Sequence, residues 1–254
     1  MTVALLVAAG ASGGARVAGA QATRPDVALP AFSNVYLETG TLLMDVSKLN
    51  PHFERLDLDA KDRPGYFTIS NDAYAVGAGG YGIVMNRVGL GAEFASADIG
   101  SESSPSGKTN ALTTSYWMGT VGYAMFTSWR LNIMPFVGIG AGTARLTLRD
   151  RNGGASPSAQ DPAFDDIIAA PGEQSTMTGS YTMVQPGLAI DYIVLPTNST
   201  TMGVTFGLRL ASAISPNRTT WKYGGQTVFG GPDLGPTGGV IRVLVGFGGF
   251  RLSK

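Results

Sequence analysis

The sequence predicts an all-β fold, an eight-stranded antiparallel up-and-down β-barrel that crosses a membrane. Eight stretches alternate in residue character with the period of two that is typical of strands. Charge is scarce, because Asp, Glu, Lys and Arg make up 14% of the residues, against about 25% in an average soluble domain. The connections also alternate in length: the short ones cover 86–87, 128–130 and 196–200, and the long ones cover about 47–66, 99–111, 150–175 and 215–237.

This alternation of lengths predicts how the barrel is oriented. Strands of an up-and-down meander reverse direction at every connection, so all tight turns lie at one end and all long loops at the other. Short periplasmic turns and long extracellular loops are typical of transmembrane barrels. Beyond the first residues the sequence contains no run of 18 apolar residues, and a closed barrel is the strand-based way to satisfy every backbone hydrogen bond in lipid.

The first residues predict an export signal. Residues 3–9 form an apolar core, and Ala18, Ala20 and Ala22 provide two small-x-small cleavage patterns. The basic segment that usually opens such a signal is missing, since no Lys or Arg precedes Arg16. We expect a signal peptide over 1–22, a short periplasmic segment over 23–32 and the barrel over 33–254. The alternative is an Ala- and Gly-rich N-terminal extension.

Each predicted strand separates an aliphatic face from a face of small residues with isolated charges. The same contrast recurs at 35–43, 88–94, 137–142, 184–192 and 202–210, whereas 73–85 and 112–127 are mixed. A soluble ligand-binding barrel would turn the aliphatic face inward and leave Gly, Ala and Thr against water, so we expect the aliphatic face to contact lipid. The last strand sets Ile241, Val243, Val245 and Phe247 against Arg242, Leu244, Gly246 and Gly248.

Aromatic residues predict the two membrane interfaces. Trp117 and Trp129 share one parity on a single predicted strand. Their separation corresponds to roughly 30 Å along the membrane normal for a tilted strand, which is close to the distance between the two interfacial belts. The predicted aromatic girdle comprises Trp117, Trp129, Tyr192, Phe247 and Phe250.

The chain resembles the small outer-membrane barrels of the outer-membrane-protein A, X and W type. The resemblance covers about residues 33–253 and depends on strand number, loop asymmetry, the Gly-rich strands 88–94 and 137–142, and the final strand 240–252. It implies an outer-membrane location, contact with membrane lipid including lipopolysaccharide, and insertion by the barrel-assembly machinery. The chain departs from the family after Phe250, because four further residues follow where a terminal aromatic is usual.

Charged residues on the inward parity predict a network in the lumen. Buried charges need partners, and we expect a contact between Glu93 and Arg209. Ion pairs that fill a narrow lumen are the structural interpretation, and a gate or selectivity filter is the functional one. The predicted network comprises Glu38, Glu93, Asp191, Arg209, Arg242 and, near the long-loop rim, Arg145.

Sequence motifs for catalysis, metals and cofactors are weak. His52 is the single histidine, and no nearby sequence pattern supplies the partner that a general base needs. The chain contains no Cys, and its acidic loop clusters fit no complete EF-hand loop, so we expect no metal and no cofactor. Eighteen acidic residues balance eighteen basic ones, which gives no electrostatic case for nucleic-acid binding. The acidic clusters are Asp57, Asp59 and Asp62, and Asp161, Asp165 and Asp166.

These observations predict a non-enzymatic outer-membrane protein that supports envelope integrity or mediates surface adhesion through its long loops. An eight-stranded lumen is largely filled by side chains, so a general diffusion pore is not expected. A narrow channel for small or apolar solutes is the alternative, followed by a lipid-modifying barrel enzyme. Trp221, Tyr223 and Phe229 on the last long loop predict either a patch that contacts a surface partner or a segment folded over the barrel mouth.

Overall fold

The computed structural model describes residues 31–58, 68–84, 87–103, 107–128, 130–155, 157–158, 160–195 and 202–251. The predicted signal peptide and nearly all of the predicted periplasmic segment lie outside these residues, as does Trp129. Among the described residues, no helix is both long and apolar enough to cross a membrane.

The described chain forms eleven strands and two helices. Eight long strands pair with their neighbours, always antiparallel, in the order β1–β2–β3–β4–β6–β7–β8–β11, and β11 pairs with β1 to close the ring. The predicted fold class is therefore confirmed. The strands are β1 Ala31–Leu43, β2 Asp72–Val84, β3 Val88–Ser103, β4 Lys108–Tyr123, β5 Phe126–Thr127, β6 Leu131–Asp150, β7 Gln174–Val194, β8 Met202–Ala213, β9 Thr220–Tyr223, β10 Gln226–Thr227 and β11 Gly238–Arg251, and the helices are α1 Asn50–Leu58 and α2 Phe164–Ala169.

The strand register fixes the width of the barrel. From Glu38 on β1, paired residues lead through β2, β3, β4 and β6 to Tyr181 on β7. In the other direction they lead through β11 and β8 to Asp191 on the same strand. The register is thus staggered by ten positions along β7, from Tyr181 to Asp191. For eight strands this gives a tilt of about 40° and an interior just wide enough for side chains to fill.

Close packing against side chains of the two adjacent strands explains some of the inward glycines. On β2, a Cβ at Gly77 would lie 2.8 Å from the Cβ of Ala95 and 3.0 Å from Glu38 Oε1. A larger residue would therefore displace the Glu38 carboxylate.

The wall turns its aliphatic side chains outward, as predicted. Phe247 remains 71% exposed and Val35 68% exposed, although both belong to well-paired strands. A soluble barrel with its aliphatic face inside is excluded by this arrangement. Other exposed members of the belt are Leu37, Val76, Leu90, Phe94, Trp117, Val121, Val137, Ile139, Phe206, Ile241, Val243 and Val245.

The strands extend past this belt toward the long loops, and there the outer face becomes polar. On β6 the outward residues change from Val137 and Ile139 to Thr143, Arg145, Thr147 and Arg149. On β7 the outward residues nearest the loops are Thr176, Thr178, Ser180 and Thr182.

The placement of Arg145 in the lumen network is wrong. Arg145 is exposed on the outer wall, because alternation from Ile139 continues through it, and its neighbours Ala144 and Leu146 face the interior and are fully buried. Above the belt the outer wall faces water, so a charged residue there does not have to point inward.

The first, third and fourth long loops fold together into a cap over the outer end of the barrel, whereas most of the predicted second long connection, 99–111, lies in β3 and β4. The cap contains apolar side chains that are essentially inaccessible. They come from α1 and the residue before it, from α2, and from β9 and the segment after β10: Leu49, Phe53, Phe164, Ile167, Ile168, Trp221 and Leu234. Of the three aromatic residues predicted on the last loop, Trp221 is buried and donates its indole N–H to the carbonyl of Pro232 at 2.7 Å. Tyr223 is half-buried, whereas Phe229 is 64% exposed.

Candidate functional site

Two clusters of charged side chains occupy the barrel interior at the level of the apolar belt. The first is organised by Arg242 on β11, whose guanidinium donates to Glu38 Oε1 at 2.8 Å and to Gln185 Oε1 at 2.8 Å. It also donates to Glu93 Oε1 at 2.5 Å. The four residues come from β11, β1, β7 and β3, so a single side chain links four of the eight strands across the lumen.

The Arg242 cluster is almost completely withdrawn from solvent. Glu38 is 4% exposed, Glu93 5% and Arg242 1%, and the ring of Tyr116 lies 5.8 Å from the guanidinium carbon. Two carboxylates share one guanidinium, which supplies donors in a planar fork that suits this geometry. Because both acids depend on the same cation, removing Arg242 would leave two buried carboxylates without their partner.

The second cluster lies toward the short-turn end. Arg209 on β8 donates to Asp191 Oδ1 at 2.9 Å, and the hydroxyl of Tyr81 donates to Asp191 Oδ2 at 2.6 Å. The amide of Asn132 donates to the Tyr81 oxygen at 2.9 Å. The Arg209 guanidinium also lies 5.3 Å from the centre of the Tyr36 ring. A carboxylate with no exposed surface thus has both oxygens hydrogen-bonded.

The predicted contact between Glu93 and Arg209 is replaced by different pairings. Glu93 binds Arg242, and Arg209 binds Asp191. The parity argument places these four side chains in the interior, but it gives no position along the axis. Partner choice depends on the stagger of the strands, which sequence alternation does not reveal.

Neutral polar residues complete both clusters, and the sequence prediction missed them. Gln185, Asn132 and Tyr81 are each buried and hydrogen-bonded to a member of a cluster. All three lie on the inward parity of their strands, opposite the aliphatic face. A search of that parity for amides and phenols as well as charges would have found them.

The interior above these clusters is apolar and continues directly into the cap. Leu112, Leu146 and Met177 line the upper barrel and belong to the same buried cluster as Phe53 and Trp221 in the loops. The aromatic rings of Phe164 and Trp221 meet with centroids 5.2 Å apart. This continuous core occupies the outer mouth of the barrel.

His52 lies in this cap and has an acidic partner, which the sequence did not indicate. Its Nδ1 lies 2.5 Å from Asp165 Oδ1, and its ring meets that of Phe164 edge-on with centroids 5.3 Å apart. Arg55 reaches the other Asp165 oxygen at 3.4 Å. These contacts join α1 to α2, so the pair ties the first long loop to the third.

The two acidic loop clusters have different outcomes. Asp59 and Asp62 lie outside the described residues. Asp161 adopts a positive φ of 48° in the turn before α2, while Asp165 and Asp166 lie in the first turn of that helix. Within the described ranges, no group of three or more His, Cys, Asp or Glu side chains is placed to hold a metal ion.

The predicted aromatic girdle is partly placed. Trp117 is 62% exposed, Tyr192 43% and Phe247 71%, all on the outer wall. Phe250 pairs with Phe32 in the β1–β11 register, and Trp129 is outside the described residues. Trp117 lies where the belt gives way to Ser115 and Thr113 on the same strand, and its place in a girdle at the membrane interface stays a prediction.

Comparisons with known proteins give matches among solved structures only. No protein-family model matches the chain, and no curated protein matches it. The chain is similar at 9% identity and a TM-score of 0.42 to Ail, the attachment invasion locus protein of Yersinia pestis, in complex with the heparin analogue sucrose octasulfate, over 88% of this chain and 100% of that one. It is similar at 9% identity and a TM-score of 0.36 to the outer membrane protease OmpT from Escherichia coli, over 91% of this chain and 99% of that one. By its own strand pairing and its outward apolar belt, the chain is a closed eight-stranded antiparallel β-barrel with the apolar outer face that is typical of transmembrane barrels.

Proposed function

We propose that this protein is a closed, non-enzymatic outer-membrane barrel that presents a folded cap of loops at the cell surface for adhesion. The observation that carries the proposal is the continuous apolar core that joins the upper barrel to the cap. Phe53 and Leu112 are fully buried and Trp221 is 1% exposed at the outer mouth. An aqueous path through the barrel would have to break this core.

The lower interior supports the same conclusion. Arg242 on β11 holds Glu93 on β3. Tyr81 on β2 holds Asp191 on β7, which also pairs with Arg209, so contacts to buried carboxylates cross the lumen at two levels. Such pairs stabilise a narrow lumen, and opening one leaves an uncompensated charge that costs several kcal/mol, on the order of 3–5. The narrow-channel alternative therefore requires a large rearrangement at both levels.

The folded cap supports a role in recognition. α1 has nine residues and α2 has six, lengths at which an isolated helix is marginal in water. Phe53 anchors α1 in the cap core, and Phe164, Ile167 and Ile168 anchor α2. A surface held in one conformation loses less entropy on binding than mobile loops do, which favours adhesion over a role in envelope integrity alone.

Conductance across a planar lipid bilayer tests the closed state. We expect the wild-type barrel to give no stepwise currents, because both the cap and the Arg242 cluster obstruct the lumen. A double variant, Trp221→Asp with Arg242→Ala, is the positive control, since it places a charge in the cap core and removes the central guanidinium. Wild-type steps of the same size as those of the double variant would contradict the proposal and favour the channel.

Attachment of cells tests the surface role. Bacteria that display the wild-type barrel should adhere to a host-cell layer more strongly than bacteria that display Trp221→Asp, in which the cap core is disrupted. The comparison requires equal amounts of barrel in the outer-membrane fraction, measured as heat-modifiable migration on gels. Equal adhesion of the two strains would contradict a role for the cap.

A further inference from the structure

A groove of about 410 Å³ lies on the outer wall of the barrel where the apolar belt ends. Phe94, Trp117, Ala141 and Thr182 form one register row across β3, β4, β6 and β7, and all four line it. Two exposed aromatic rings thus lie at one end of the row and a hydroxyl at the other. The groove spans the boundary between lipid-facing and water-facing wall.

An irregularity between β8 and β9 builds the far side of the groove. Ile214 bridges to Val184 on β7, and pairing resumes with Thr220 opposite Ser180. The intervening segment is longer than the stretch of β7 that it passes, so it bulges, and Ser215 anchors it by donating to the carbonyl of Thr182 at 2.9 Å. Asn217 and Arg218, both exposed, line the groove from this bulge.

Positive charge lies on the water side of the groove. Arg145 on β6 and Lys222 on β9 flank Thr178 on β7 in one register row, and both are exposed. Arg218 lies in the bulge beside β7, on the side of the groove away from the aromatic rings, and its charge acts on Asp233, which itself accepts a hydrogen bond from Lys48 at 3.0 Å. Cations above aromatic rings at a membrane boundary match the arrangement of an acidic lipid headgroup above its acyl chains.

A hydroxyl group in the groove has no described partner. Thr182 Oγ1 is buried, and no hydrogen bond to it is formed within the described residues. Ser115, Thr143 and Ser180 line the same groove with hydroxyl groups. Hydroxyl donors beside a guanidinium are suited to phosphate oxygens, which accept several hydrogen bonds at once.

We propose that this groove binds a phosphate-bearing lipid of the membrane leaflet on the long-loop side. Arg218 contacts the phosphate together with the hydroxyl groups that line the groove, Arg145 and Lys222 attract it, and one acyl chain packs along Trp117 and Phe94. The groove opens directly onto the apolar belt, so a lipid reaches it by lateral diffusion. The inference rests on the membrane placement of the barrel within the proposed function, but not on the closed state of the lumen.

Retention of defined lipids by the purified barrel in neutral detergent tests the proposal, with native mass spectrometry as the readout. We expect the wild type to retain diphosphoryl lipid A, and to retain dephosphorylated lipid A and phosphatidylcholine at least tenfold less. Arg218→Ala should weaken retention of diphosphoryl lipid A about tenfold, the effect of losing one charge-assisted hydrogen bond. Arg87→Ala is the matched control, because Arg87 stacks on Tyr123 at 5.9 Å near the short turns and should retain the lipid like the wild type.

Two further measurements distinguish a lipid site from a site for free phosphate. Inorganic phosphate at millimolar concentration should not displace the lipid, and Trp117→Ala should weaken lipid retention, since the acyl chain contributes to binding. Equal retention by Arg218→Ala and the wild type, or equal retention of the dephosphorylated lipid, overturns the proposal. So does full displacement by inorganic phosphate, which would indicate a free-phosphate site.

A separate measurement tests whether the barrel lies in a membrane, independently of the lipid site. In vesicles with brominated acyl chains, tryptophan fluorescence should be quenched, and quenching should decrease in Trp117→Phe. Unquenched fluorescence together with lipid-independent migration on gels would contradict the membrane placement. Normal quenching without selective lipid retention would overturn the lipid site alone.

Discussion

The lower and upper halves of the same strands place their polar and apolar side chains on opposite faces. At the level of the belt, β6 presents Val137 and Ile139 outward, and the interior holds charges such as Arg242 and Asp191. Nearer the loops, β6 presents Arg145 outward and Leu146 inward. Alternation persists along the whole strand, but the medium outside changes from lipid to water. The polarity of the outer face therefore follows the medium that surrounds it, and the inner face of the same strand has the opposite polarity.

The substitution with the largest expected effect tests the polar interior of the lower half. Arg242→Ala leaves Glu38 and Glu93 buried without their shared guanidinium, which should lower the free energy of unfolding by about 3–5 kcal/mol. Urea unfolding in lipid vesicles measures the loss. Arg145→Ala is the control on the outer wall, where substitution of an exposed residue should change stability by less than about 0.5 kcal/mol. Equal losses would contradict the assignment of the two arginines to different faces.

A substitution in the cap tests the apolar interior of the upper half. Trp221→Ala removes a side chain that is 1% exposed and packed against Phe164, so it should destabilise the cap by about 3 kcal/mol. The barrel should keep its heat-modifiable migration, because the ring of eight strands does not include β9. Limited proteolysis of the loops measures the effect, and exposed Phe229 supplies the control, Phe229→Ala. A trypsin-resistant Trp221→Ala cap would argue against the core described.

The boundary between the halves is tested by placing one charge at two heights on the outer face of β6. Ile139→Arg puts the charge in the apolar belt, where it should cost about 2–4 kcal/mol. Thr147→Arg puts the same charge on the same face above the belt, between Arg145 and Arg149, and should cost close to nothing beyond weak repulsion. Unfolding in vesicles compares them. Similar costs would mean that the belt extends to the loops.

The sequence predicted the fold because the information for it is local. Loop lengths and the period of two are readable along the chain, and closure of eight strands follows from them. The inward positions of Glu38, Glu93, Asp191, Arg209 and Arg242 follow from parity. Their pairing did not follow, because it depends on a stagger that accumulates around the whole ring.

Arg145 shows a second limit of the sequence prediction. Its charge favours the lumen, whereas its parity, shared with Val137 and Ile139, favours the outer wall. Charge indicates an inward position only where lipid covers the outer wall. The Thr and Ser positions 176, 178, 180 and 182 of β7 mark where lipid coverage ends. The sequence could not predict the cap core either, because Phe53, Phe164 and Trp221 come from three different loops and meet only in the closed barrel.

The smallest expected effect is a pH dependence on the surface of the cap. Lys48 donates a hydrogen bond to Asp233 and holds the pKa of that carboxyl below its ordinary 3.8. Because the pKa of Asp233 is lower in the folded state, the ion pair contributes its full stability above pH 3.8. That contribution is lost as pH falls through the folded pKa of Asp233. Both side chains are solvent-exposed, so the pair contributes less than about 1 kcal/mol, and salt screens it further.

Proteolysis of the loops at a series of pH values compares the wild type with Asp233→Asn. The wild-type cap should lose slightly more protection than the variant as pH falls below 3.8, because the lowered pKa of Asp233 keeps that carboxylate ionised in the folded protein at pH values where it is protonated in the unfolded chain. Because a buried apolar core holds the loops together, the cap should stay folded at these pH values in both proteins. Cap opening at acidic pH in the wild type but not in Asp233→Asn would show instead that a surface ion pair holds the loops, and the contrast between the two halves of the strands would not extend to what stabilises the cap.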